Sequence, residues 1–284
     1  MYASPSKLGT SNYAQHIDEY LAKIPTKSLS YDYYGLHSNG SVNSDYFTNL
    51  DLVRSKTLER RIPFWVITQT GDIGESTRMP NEKEERWSVW ANIAGGSKGV
   101  SYFCYWDPRL PNSITDISET AMVNRDGTKT EMYNWVKQIN TDINTVGKKL
   151  LPCHADGIIL GSTMYYPLYA NKGAGRTFYG PISNVKGLVT HLVGCFRDAR
   201  RSEMGENFKG YKALVMSQMP NRDITVNMDI DSSVTAITVT HNNTESTVEL
   251  INTLSTTVGD VSVAFDGAKL TLGIPDGEAV LIEF

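Results

Sequence analysis

The sequence predicts a chain of two parts, an α/β region with parallel strands followed by an all-β region with antiparallel strands. Three observations predict it. The first half alternates strand-like and helix-like stretches without hairpin signals, the pattern of strands joined by crossovers. After Leu150 the helical period gives way to short β-branched runs, including Ile224–Met228, Val234–Val239, Val261–Phe265 and Ala279–Phe284. Asn-Asn, Gly-Asp, Asp-Gly and Pro-Asp-Gly turns separate these runs, as in an antiparallel sandwich. The third observation is length: 284 residues suffice for two buried cores.

The elements follow in order. Asn12 to Lys23 reads as a helix opened by an Asn12/Gln15 capping pair, with Tyr13, Ile17, Tyr20, Leu21 and Ile24 on one face and Pro25 after it. Ser28 to Tyr34 reads as a strand closed by Gly35. Ser44 is placed to cap a helix that carries Phe47, Leu50 and Val53 and runs to about Arg60. Phe64 to Thr68 is a buried strand, and Asn81 with Glu84 forms a second capping pair before Trp87, Trp90, Ala91 and Ala94. Gly99 to Trp106 is the next strand, and Met132 through Leu150 traces a long amphipathic helix. Glycine-rich residues 171–187 read as a loop or insertion.

Taking strand ends at Tyr34, Gln69 and Trp106, the repeat is 35 and then 37 residues. A closed eight-unit barrel takes ~250 residues, so residues 1–150 hold about half of a TIM-type (β/α) barrel. Tyr2-Ala3-Ser4 reads as the tail of a preceding strand. The expected division is 1–150 for the half-barrel and 151–284 for the sandwich, with the boundary between Gly147 and Gly157.

Charge and composition narrow the function classes. A net charge of -4 disfavours a surface built for nucleic acid or anionic lipid. No apolar run approaches the ~20 residues that span a bilayer, and Met1–Pro5 shows no signal-peptide pattern, so neither feature is expected and the compartment stays undetermined. Cys104, Cys153 and Cys195 are too sparse for a disulfide framework, and reduced thiols are expected, although one bridge stays open. Five scattered histidines without ligand spacing argue against a metal, and no cofactor is expected.

Ile62-Pro-Phe-Trp-Val-Ile-Thr-Gln69, Glu85 to Val100 and Ser101-Tyr-Phe-Cys-Tyr-Trp-Asp-Pro108 resemble the last barrel units of β-galactosidase-like clan A glycoside hydrolases. Leu29–Tyr34 resembles the preceding strand in a bacterial branch of that group, and Cys195–Asp198 with Gly273–Phe284 resemble the following sandwich. The resemblance implies the C-terminal half of the barrel, a carbohydrate substrate and hydrolysis by two carboxyl groups, one an acid and one a nucleophile or base. It also implies that Trp106 floors a sugar subsite. Two departures stand out: the strand that bears the acid has no counterpart, and Thr68 then Gln69 occupy the nucleophilic glutamate's place.

Asp32 is the first candidate carboxylate. Period-two alternation sets Ser30, Asp32 and Tyr34 on one face and Leu29, Tyr31 and Tyr33 on the other, with Asp32 at the strand's C-terminal end, where sites of this fold lie. A turn-shaping Asp before Gly35 is the other reading. Asp72 and Glu75, in Gly71–Ser76, reach the same rim as possible second carboxylates or as turn residues. Asp107 is the fourth candidate, or else fixes the turn before Pro108. Tyr31, Tyr34, Gln69, Tyr105 and Trp106 are the candidate substrate contacts, the aromatic ones because sugar C–H faces pack on their rings, while half of the strand-end aromatics are expected to be ordinary core. Trp87, Trp90 and Trp135 are expected in the core, and Arg86 is expected to anchor a loop or a carboxylate and not to touch substrate. The leading expectation is an O-glycosyl hydrolase completed by a chain supplying the first barrel half, or by a second copy of itself. A non-catalytic carbohydrate-binding protein and a split-gene fragment are the alternatives.

Overall fold

The computed structural model of the chain describes residues 9–71, 77–107, 121–161, 179–187, 190–198 and 210–284. Close packing divides the chain into two units, residues 1–85 with 97–136, and residues 86–96 with 137–284.

In the first unit, α1 (Tyr13–Lys23) opens where the Asn12 side chain accepts the Gln15 N–H at 2.9 Å. The Gln15 side chain reaches back to the Ser11 N–H at 3.0 Å, one residue before the expected partner. It is followed by β1 (Leu29–Asp32) and α2 (Tyr46–Arg60). The expected Ser44 cap is not used, because Asp45 holds the N-cap position and its carboxylate accepts the Tyr33 hydroxyl instead of capping the helix. Arg61 ends α2 in the left-handed region at φ 55°, ahead of Pro63. Next come β2 (Phe64–Gln69), α3 (Glu82–Ala94) and β3 (Gly99–Phe103). Helix α3 starts at a reciprocal capping box: Glu84 N–H donates to Asn81 Oδ1 at 3.0 Å, and Asn81 N–H to Glu84 Oε2 at 2.9 Å.

The three strands form one parallel sheet in the order β1-β2-β3, each joined to the next through a helix. Its two faces differ. Tyr31, Phe64, Val66 and Thr68 point to one face and are buried. Register sets Ser30, Asp32, Trp65, Ile67, Ser101 and Phe103 on the other. There Trp65 keeps 47% and Phe103 40% of its surface exposed.

The second unit takes residues 86–96 of α3 and its C-terminal turn, most of α4 (Glu131–Leu150) and every later strand. These are β4 (Cys153–Gly161), β5 (Ile182–Gly187), β6 (His191–Asp198), β7 (Tyr211–Ser217), β8 (Ile224–Ile230), β9 (Ala236–His241), β10 (Thr244–Glu249), β11 (Leu254–Val258), β12 (Val261–Phe265), β13 (Lys269–Ile274) and β14 (Ala279–Glu283). They build a six-stranded sheet, β10-β9-β14-β7-β6-β4, and a five-stranded one, β11-β12-β13-β8-β5, with all pairs antiparallel. Val193, Val215, Val239 and Ile282 of the first share one buried cluster with Val226, Val263 and Leu272 of the second. The chain is thus mixed α/β with sandwich-like β content. Residues 182–187, expected to be loop, are strand β5: pairing with β8 satisfies their backbone, which glycine content alone does not reveal. The expected loop residues 171–178 lie outside the described residues.

Two contacts hold α3 and α4 in this unit. The Arg86 guanidinium is buried between Asp142 of α4 at 2.7 Å and Glu278 at 3.3 Å. Glu278 also meets His241 Nε2 at 3.2 Å, while Gln138 donates to the other Asp142 oxygen at 2.8 Å. The expectation that Arg86 anchors a carboxylate thus describes what it does. Beside it the indole N–H of fully buried Trp87 donates to Ser217 O at 2.9 Å. At Gly194 of β6, α3 comes so close that a β-carbon would stand 2.3 Å from Ala94 O.

Gly194→Ala should therefore destabilise the chain by about 1–3 kcal/mol, since a backbone carbonyl has to give way. Arg86→Ala should cost about 3–5 kcal/mol by leaving two carboxylates without their buried cation. Urea unfolding checks both, and a change under half a kilocalorie in either would show that contact to be dispensable.

Candidate functional site

The C-terminal ends of the three parallel strands gather the polar and aromatic side chains. Asp32 closes β1, half-buried, on the face opposite Tyr31. The Tyr34 hydroxyl lies near enough to the Asp32 carboxylate for the two to interact electrostatically. Burial first, then the charge and the hydrogen bond of Asp32, raise the Tyr34 hydroxyl well above its ordinary range. Tyr34 thus stays a donor at any working pH. Its ring lies 6.1 Å from that of Phe103 at the end of β3. Tyr31 is buried on the helix side against Phe64, ring centroids 6.3 Å apart, which makes it a core residue and not a wall for sugar.

Gln69 ends β2 and is buried. Its amide N–H groups go to Arg78 O at 2.8 Å and Gly71 O at 3.3 Å, and its Oε1 accepts from Leu36 N at 3.4 Å. With both ends of the amide on backbone groups, Gln69 ties strand-end loops together and does not reach for a ligand, contrary to its expected substrate contact.

Beyond β3, residues 104–107 run as an arm against residues 121–123: Met122 N bonds Cys104 O at 3.2 Å, Val123 N bonds Tyr105 O at 2.8 Å, and Asp107 N bonds Val123 O at 3.0 Å. The expected strand to Trp106 therefore ends at Phe103 and continues only as bridged backbone. The arm presents Tyr105 and Trp106, 59% and 54% exposed, with the Trp106 indole N–H fixed on Asn124 O at 3.2 Å. Asp107 is buried at the arm's base, with Arg125 Nε 3.9 Å from its carboxylate. Burial and then the Asp107 charge push the Cys104 thiol up, so it is no ready nucleophile. Asp72 and Glu75 lie outside the described residues.

Sequence reasoning passed over Glu85. It is fully buried, and the Thr68 hydroxyl lies 3.2 Å from its Oε1. Burial raises its carboxyl to about 8, with the Thr68 hydrogen bond pulling the other way. The overlooked signal was the doubled Glu84-Glu85: the capping box uses the first, and helical spacing turns the second inward.

Among the described residues no three His, Cys, Asp or Glu side chains converge as a metal site would require, and no helix is long and apolar enough to cross a membrane. What the strand ends offer is a carboxylate with a tyrosine donor, a buried second aspartate, and an exposed aromatic ledge.

A comparison with curated proteins finds no match. The family model described as β-galactosidase, of the glycoside hydrolases, matches residues 7–146, which include all three parallel strands and every strand-end residue named above. The resemblance read from the strand motifs is thereby shown over the α/β portion of the chain, which is consistent with a β-galactosidase-like family of glycoside hydrolases.

Proposed function

We propose that the chain hydrolyses O-glycosidic bonds of oligo- or polysaccharides, with Asp32 as a catalytic carboxylate and Trp106 and Tyr105 as the sugar platform. The observation that carries this reading is the pairing of Asp32 with Tyr34 at the C-terminal end of β1, where barrel hydrolases keep their chemistry. An ionised Asp32 accepts the proton of an attacking water or stabilises positive charge at the anomeric carbon, and the Tyr34 hydroxyl holds the carboxylate in orientation. Exposed indole and phenol faces suit the C–H faces of a pyranose. Asp107 and Glu75 stand as proposals for the second carboxylate. Asp107 would need access past Arg125, because its side chain is buried.

Thr68 supports a second reading. It stands where the family resemblance puts the nucleophilic glutamate, and its hydroxyl is turned to Glu85. A protein that keeps the aromatic ledge but lacks that carboxylate would bind sugar without cleaving it. Asp32→Asn separates the two. It should abolish hydrolysis of aryl-glycosides by the complete assembly and leave its thermal midpoint nearly unchanged. Cleavage persisting at near wild-type rate would remove Asp32 from the mechanism, and a wild type that binds oligosaccharide without cleaving it would favour the second reading.

The parallel sheet, in our reading, is half of a (β/α) barrel, residues 1–150, with 151–284 as the following sandwich domain. Its support is the open face: Trp65 and Phe103 are aromatic, exposed and on the side that a closed barrel fills. The occupant would be a chain bringing the remaining units, or a second copy. Light scattering of the purified chain should then give a mass above the 31.6 kDa of one copy. A cooperatively melting monomer at micromolar concentration would count against a half-barrel.

A further inference from the structure

Glu85 is the one fully buried carboxyl in the first unit for which the described residues show so little compensation. Its Oε1 faces the Thr68 hydroxyl, and its Oε2 is buried with no hydrogen-bond partner among the described residues. An ionised carboxylate accepts only, and burying one with a single neutral donor is costly. Neighbouring cations are committed elsewhere: Arg78 to Glu84, with Arg78 Nη1 2.6 Å from Glu84 Oε2, and Arg86 to Asp142 at 2.7 Å. The polar groups facing Glu85 are Thr68 of β2 and Tyr102 of β3, whose hydroxyl is itself raised by burial and by Glu85.

Proton counting on Thr68 settles the direction of the bonds. Its Oγ1 lies 3.2 Å from Glu85 Oε1 and 3.3 Å from Ser101 O, and a hydroxyl has one proton to give. A carbonyl can only accept, so the arrangement that satisfies both contacts runs from the Glu85 O–H to Thr68 Oγ1 and from the Thr68 O–H to Ser101 O. It requires a proton on Glu85.

We propose that Glu85 is a proton-carrying clamp: as a neutral acid it donates to Thr68, which donates to Ser101 O, tying the first turn of α3, residues 82–85, to β2 and β3. Removing the proton reverses the first bond, takes the Thr68 proton from Ser101 O and leaves a buried anion. The clamp is therefore a pH-sensitive element beneath the strand ends that carry Gln69 and Phe103, and it stands whether or not the chain cleaves sugars. The sign follows from where the proton sits. The folded chain keeps it up to about 8, whereas an exposed glutamate releases it near 4.5. Between those values the folded state holds more protons than the unfolded state, so stability is fully present below the lower value and falls as pH rises to the upper one.

The test is the pH dependence of unfolding of the full chain beside Glu85→Gln, whose amide donates to Thr68 without titrating. The wild-type folded-to-unfolded ratio should fall by up to about tenfold per pH unit across the window, and Glu85→Gln should remove that part of the slope. Thr68→Val, which keeps the acid and removes the hydroxyl that accepts its proton and relays to Ser101 O, should leave the Glu85 O–H without that acceptor and shift its C=O stretch to higher frequency. Difference infrared spectra should show a protonated-carboxyl C=O stretch at pH 6 that bleaches on alkaline titration and is missing from Glu85→Gln. Equal slopes in wild type and Glu85→Gln, or no such band at pH 6, would overturn the clamp. Should Glu85→Gln not fold, the wild-type band and its shift in Thr68→Val decide the matter by themselves.

Discussion

Helix α3 buries charged groups at three consecutive positions; Glu84 is engaged by the capping box and Arg78, and the solutions for the next two differ. Arg86 stays charged and is surrounded by acceptors, Asp142 on one side and Glu278 on the other, with Gln138 and His241 satisfying the remaining carboxylate oxygens. Glu85 has one hydroxyl for a partner and is raised to about 8. A guanidinium cannot shed its proton in a protein, so its burial demands a full set of carboxylates; a carboxyl can become neutral by taking one up. The sequence of α3 reflects both constraints, since the Asn81/Glu84 box fixes the helix start and with it the direction in which the next two side chains leave the axis.

The second unit shows why α3 and α4 are grouped with strands far along the chain. Trp87 and Trp90 are fully buried, and Gly194 lets the helix backbone approach a strand with no side chain between them. Packing of this kind is specified by one missing methyl group and one indole donor, not by a continuous motif. The ion cluster around Arg86 adds directionality to an otherwise apolar contact. Its energy relative to an apolar replacement is not the point; breaking it halfway is what costs.

Local signals were legible where they are self-contained. Capping pairs located the starts of α1 and α3, heptad-like spacing located α4, and alternation assigned Asp32 and Tyr34 to one face of β1. Alternation also set Tyr31 on the face of Leu29, and that face is the buried one, so its reading as a sugar contact ran against the pattern that identified Asp32. Other elements gave little signal. The inner positions of β7 are buried on both sides and do not alternate, while β10 and β11 are polar and exposed along most of their length. The roles of Gln69 and Glu85 were illegible for a different reason. Each is decided by groups distant in sequence, Leu36 and Arg78 for the first and Thr68 for the second, which only the folded chain brings into reach.

The strand ends then pose a chemical question that the residues narrow. Glycoside hydrolysis needs two carboxyl groups whose environments keep one protonated and one ionised. The middle strand, β2, supplies neither, because Thr68 and Gln69 end it with a hydroxyl and an amide that are both engaged. Any carboxylate must come from the flanking strands or the loops. On β1, Asp32 is half-buried with a tyrosine donor; beyond β3, Asp107 is fully enclosed with a guanidinium beside it. A cation next to a carboxylate favours its charged form, and enclosure keeps water and sugar away from it. Asp107 as the proposed second carboxylate would therefore need the arm and Arg125 to move aside before a substrate could reach it. Under the proposed hydrolysis Asp32 is then the more accessible of the two described strand-end carboxyl groups, with Asp107 or Glu75 left to complement it.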